Sequence, residues 1–120
     1  MAANIYIYIP AADDTLGRED LADELEEFFG GAAEECGAGS GESGFNLDYE
    51  FAEGEDPYGW ADRLKPFLAG LNVPSGSAFT VFPDEWELGR QWRSVCVFGE
   101  DRRRTDDPVQ AVQGITKRCP

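Results

Sequence analysis

Two short stretches of this chain alternate apolar and polar positions with a period of two, and two longer ones repeat their apolar positions at helical spacing. From Asn4 to Ile9, Ile5, Ile7 and Ile9 alternate with Tyr6 and Tyr8. That pattern predicts a strand with one aliphatic face and one face of amphipathic rings, closed by Pro10. Phe45 to Phe51 repeats it more strictly, with Phe45, Leu47, Tyr49 and Phe51 on one side and Asn46, Asp48 and Glu50 on the other. Strict alternation predicts one buried face and one open face, which argues against helices on both sides of the sheet.

Between these strands, Leu21, Leu25, Phe28 and Phe29 form one stripe of a helix from about Arg18 to Phe29. Glu19 and Asp20 lie in its first turn, where the helix dipole favours negative charge, and Gly30-Gly31 ends it. Asp56-Pro57 opens a second helix as N-cap and first helical residue, with Trp60, Leu64, Phe67, Leu68 and Leu71 as its buried stripe. Pro66 removes one ladder bond and should kink or shorten the last turn before Gly70. Ala78 to Phe82 and Gln91 to Phe98 read as a final antiparallel strand pair, whose connector carries Asp84, Glu85, Trp86 and Glu87.

The remaining segments carry weaker patterns. Residues 32–44 are rich in glycine, serine and alanine and read as a flexible loop. Glu100 to Arg104 reads as a charged link, Val109 to Gln113 as a short helix and residues 115–120 as a tail. The expected architecture is a single α+β domain over residues 1–120, a two-layer sandwich in β-α-β-α-β-β order. Both main helices would lie on one face of a four-stranded mixed sheet, with a short C-terminal helix added.

Charge changes this picture most. The formal net charge is −14, and sixteen carboxylates face one base, Arg18, between Asp13 and Asp56. Such a surface repels nucleic acid and attracts basic partners. Only two of the ten bases are lysine, so the acidity also fits an accessory domain adapted to salt or selected for solubility. Cys36, Cys96 and Cys119 are odd in number and widely spaced; Cys96 reads as a small core residue, and no disulfide framework is expected. The N-terminus lacks a basic segment and its apolar run is too short for a signal or membrane helix, so the expected compartment is cytoplasmic, with no membrane partner.

Several candidate chemistries fail on spacing or composition. Gly39, Gly41 and Gly44 fit G-x-G-x-x-G, but they follow a helix and enter a strand, with Glu42 inside and Glu34 and Glu35 before them. A phosphate there would meet carboxylates instead of a helix N-terminus. Histidine is absent, which removes Ser-His and Cys-His nucleophile pairs and any zinc site built on them. Asp48, Glu50, Glu53, Glu55 and Asp56 are dense oxygen ligands, yet counting an EF-hand loop from Asp48 puts Glu53 where glycine is required and Gly59 where glutamate is. No cofactor and no metal is expected. A small carboxylate-dependent enzyme would need two convergent desolvated acids, and nothing marks such a pair among twenty-four.

What stands out is the open side of the sheet. Alternation puts Tyr6, Tyr8, Asn46, Asp48 and Glu50 on it together. Rings on an open sheet suit base stacking only in basic surroundings, so direct nucleic-acid binding is not expected. Tyrosine set among carboxylates suits a basic protein, with rings as anchors and acids steering the encounter. Trp86, among Asp84, Glu85 and Glu87, is a second anchor unless it folds back on its own hairpin. The expected function is non-catalytic: an acidic binding protein that docks on a basic partner such as a nuclease or another nucleic-acid-binding protein, by the physics used by inhibitors, immunity proteins and DNA mimics.

Overall fold

In the computed structural model, residues 3–13, 15–82, 92–99 and 101–105 are described, with backbone alone at 92 and 101–105. The elements are β1 (Asn4–Pro10), α1 (Arg18–Phe29), β2 (Ala33–Gly41), β3 (Gly44–Phe51), α2 (Pro57–Ala69), β4 (Ala78–Phe82), β5 (Trp92–Cys96) and β6 (Asp101–Thr105). The class is α+β. The sheet has six strands in the order β2-β3-β1-β4-β5-β6, and every neighbouring pair is antiparallel.

This corrects the expected four-stranded mixed sheet. The two crossovers, β1-α1-β2 and β3-α2-β4, do join strands that run the same way. Each pair, however, has an antiparallel strand inserted between its members, β3 in the first and β1 in the second. Parallel strands therefore never touch.

Both helices cover one face. Ile5, Ile7 and Ile9 of β1, Leu47, Tyr49 and Phe51 of β3, and Phe79 and Val81 of β4 form one buried cluster with Leu21, Leu25 and Phe29 of α1 and Leu64 and Leu68 of α2. Each fully buried aliphatic side chain stabilises the fold by about 1.5–3 kcal/mol relative to exposure. Phe28, Trp60 and Phe67, also in the predicted stripes, are only partly buried and form an aromatic seam between the helices, with Phe28 stacked on Phe67 at 4.4 Å between centroids. The caps follow the sequence. Gly30 is left-handed (φ 56°) and its N–H reaches Glu26 O, while the Asp56 side chain accepts from Tyr58 N at 3.1 Å. α2 continues through Pro66 for three residues and closes at Gly70.

Two segments expected to be irregular are strands. Residues 33–41, read as a flexible loop, form the edge strand β2, and the Asp101–Thr105 part of the charged link pairs with β5 as β6. β2 joins β3 through a two-residue turn, Glu42-Ser43, with Gly41 opposite Gly44. At Gly44 φ is +140°, and a Cβ there would lie 2.1 Å from the Ile9 carbonyl oxygen, so the hairpin can press against β1 only with glycine at that position. Cys96 is buried as expected, but it is disulfide-bonded, a pairing its spacing gave no means to see. Cys36 is free and exposed. The 84–87 connector, the expected helix over 109–113 and the expected tail over 115–120 lie outside the described residues.

Candidate functional site

The register of β1 against β3 assembles the predicted face. Tyr6 pairs with Asp48, Tyr8 with Asn46 and Asn4 with Glu50, so Tyr6, Tyr8, Asn46, Asp48 and Glu50 form two adjacent rows on the side away from the helices. Directly opposed side chains of this kind have Cβ atoms about 4.5–5.5 Å apart, close enough to act as one surface. Tyr6, Tyr8, Asn46 and Asp48 are half-buried and Glu50 is exposed. The Tyr8 hydroxyl donates to Ser43 O at 3.0 Å, which ties the ring to the β2–β3 turn.

β2 extends this surface in a way alternation did not reveal. A Cβ on Gly37 would lie 3.2 Å from Asp48 Oδ2, and one on Gly39 would lie 2.9 Å from Asn46 Oδ1. Both β3 side chains therefore lean outward over the glycines of the edge strand, which form a low shelf beneath them. Cys36, two residues after Glu34 in β2, lies on the same face, followed by a register shift that sets Gly37 opposite Asp48; Asn4 Nδ2 lies 3.7 Å from the Cys36 sulfur. Asn4 was legible by extending the Tyr6–Tyr8 alternation one step. Cys36 was not, because the glycine-, serine- and alanine-rich segment 32–44 reads as a loop and so assigns it no face.

The electrostatics of the patch are those of unrelieved acid. Burial raises the pKa of the Asp48 carboxyl above its ordinary 3.8. Burial, then the Asp48 charge, raises the Tyr6 phenol, and burial followed by Asp48 and Glu50 raises the Cys36 thiol. A thiol held protonated is a poor nucleophile. Among the described residues, no group of three or more histidine, cysteine or carboxylate side chains is arranged to hold a metal ion.

The far face is not open throughout, which corrects the expectation of a bare flank. Across β4 and β5, Ala78, Thr80, Ser94 and Cys96 are each no more than 3% exposed, and Thr80 and Ser94 share a buried hydroxyl–hydroxyl hydrogen bond of 3.1 Å. The candidate surface is therefore the β1–β3–β2 half alone. The predicted residues Asp84, Glu85, Trp86 and Glu87 lie outside the described residues. The G-x-G-x-x-G glycines belong to a hairpin, where no helix begins.

The chain matches no protein-family model, no curated protein and no solved structure. Among the described residues, no helix is long and apolar enough to cross a membrane.

Proposed function

We propose that this protein is a non-catalytic acidic binding protein that docks on a basic protein through the far face of β1 and β3. The observation that carries the reading is the register: five residues from two segments separated by a helix and a strand converge on one partly open surface. Two tyrosines give broad apolar contact with polar tips, the commonest kind of interface anchor. Asp48 and Glu50 accept charge-assisted hydrogen bonds from arginine or lysine. Because Asp48 is partly desolvated without a described cation beside it, an incoming base would relieve a cost already present in the free protein. The net charge of −14 supports fast, salt-sensitive association with a positively charged partner. The partner chemistry that fits is a basic nuclease or another nucleic-acid-binding protein, bound where it would otherwise hold phosphates.

Carboxyl footprinting with a carbodiimide tests this in the presence of a panel of basic nucleases. A bound partner should protect Asp48 and Glu50 while Glu24 and Glu27, exposed on α1, continue to react. Equal protection at all four carboxylates, or none at any, would overturn the assignment.

A further inference from the structure

β2 ends the sheet. One of its long sides pairs with β3, and among the described residues no strand pairs with the other. The N–H and C=O groups on that free side are a template for a further strand. Sheet edges are ordinarily blunted by charge, proline or irregularity. The first part of β2 is blunted in this way, by Glu34 and Glu35 and by the register shift between Glu35 and Gly37. From Gly37 to Gly41 the pairing is regular, and the segment Gly-Ala-Gly-Ser-Gly carries neither charge nor proline.

The fold does not require the glycines of this stretch. Gly37, Gly39 and Gly41 pair with Asp48, Asn46 and Gly44, which puts all three on the far face. None of them has a left-handed φ, and a Cβ on Gly41 would meet nothing within 4 Å. On Gly37 and Gly39 it would meet only the Asp48 and Asn46 side chains. Glycine weakens a strand interior, and one use it has there is to let another backbone or a ligand approach closely. Neighbouring strands lie about 4.8 Å apart. A strand added to β2 would therefore have only the glycine shelf between its far-face side chains and the acceptors of β3.

We infer that the free edge of β2 pairs with an extended basic segment of the partner, whose arginine or lysine side chains cross the glycines to reach Asp48 and Asn46. The inference rests on the docking function proposed above and names how the partner engages that face. Backbone bonds supply affinity in strand addition, and alternate side chains supply specificity. Asp48 accepts charge-assisted bonds from either base, and the Asn46 amide oxygen accepts from the same donors. Charge favours this occupant over a second copy of the chain. Residues 33–44 hold Glu34, Glu35 and Glu42 and no base, within a chain of net charge −14, so two such edges repel each other. Arg18 reaches β2 from the helix-bearing side, where its Nη1 donates to Ser40 Oγ at 3.5 Å, and leaves the far face acidic.

The test is amide hydrogen exchange, followed by NMR on the isotopically labelled protein with a blocked peptide of alternating arginine and threonine, about six residues long. Alternate amides between Gly37 and Gly41 should exchange more slowly at saturating peptide. Asp48→Asn should weaken the peptide roughly tenfold by removing a charged acceptor. Gly39→Val should weaken it by filling the shelf, and Ser40→Val, on the opposite side of the same strand, should not. Methylating the peptide's backbone nitrogens keeps its charge and deletes its ladder donors, and should lower affinity roughly tenfold or more. Equal binding of the methylated peptide would show attraction by charge without strand pairing and would overturn the inference. Edge amides left unprotected, or a peptide that does not bind, would do the same. Protection that grows with protein concentration in the absence of peptide would give the edge to a second copy, again against the inference. The docking function itself is judged separately, by the carbodiimide footprint at Asp48 and Glu50, which strand addition at β2 does not enter.

Discussion

The two halves of the far face are made from the same sheet and differ in what they bury. At Ala78 and Thr80 of β4 and Ser94 and Cys96 of β5 the residues facing away from the helices are small or hydroxyl-bearing and at most 3% exposed, and the Thr80 and Ser94 hydroxyls pair with each other. Across β1 and β3 the equivalent positions hold tyrosines, an asparagine and carboxylates, half-buried or exposed, with Asp48 desolvated and lacking a described cation partner. The first half is arranged for stability, because every buried hydroxyl has its bond. The second keeps an acid where an uncharged side chain would fit the folded state better. The proposed docking function would account for an acid kept at this place.

Substituting lysine in both halves should separate them most widely. Ala78→Lys would place a charge where 1% of the residue is exposed, and should cost roughly 3 kcal/mol or more, enough to unfold a marginal domain. Glu50→Lys, on the exposed half, should change stability by no more than about 0.5 kcal/mol. Comparable losses in denaturant unfolding would mean the two halves are equally covered, and would break the comparison.

The hydroxyl pair gives a finer test. Thr80→Val removes the buried Thr80–Ser94 hydrogen bond and should cost about 0.5–1.5 kcal/mol. Adding Ser94→Ala should cost less than the two single changes combined, because each single change already breaks the same bond. Strict additivity would mean that the 3.1 Å contact contributes no coupling.

The smallest effect concerns Asp48. The fold raises its pKa, so this group withdraws stability as pH climbs through the carboxylate range, and the withdrawal is complete at neutrality. Asp48→Asn should therefore stabilise the protein at pH 7, by up to about 0.5 kcal/mol, and have little effect below the ordinary carboxyl pKa of 3.8. A variant destabilised at pH 7 would show that the carboxylate contributes to the fold, against the reading that it is held for a partner.

Much of this was legible in the sequence where a buried stripe wrote a period. β1, α1, β3 and α2 each show theirs, and the β4–β5 pair carries a run of strand-forming residues. β2 and β6 do not: neither sequence alternates apolar with polar residues, and β2 is buried only at Ala33. β2 is built from Gly37, Gly39 and Gly41, residues with little strand preference, and two of them are explained only by the Asp48 and Asn46 side chains that overhang them. The convergence of Tyr6, Tyr8, Asn46, Asp48 and Glu50 followed from alternation alone. That half the face is covered was present as a signal too: Ala78 to Val81 is apolar or small at four successive positions, the mark of a strand buried on both sides.

The docking face is tested most directly by two charge-matched variants, Asp48→Lys and Glu24→Lys, the second on the exposed surface of α1. Their affinities for a basic nuclease that binds the wild-type protein would be measured at about 0.15 M salt, where unpaired surface charges are screened beyond about 8 Å. The account predicts a loss of roughly tenfold or more for Asp48→Lys, the usual scale for an interface hot spot, and little for Glu24→Lys. Equal losses would show that the partner responds to total charge and that no particular face receives it.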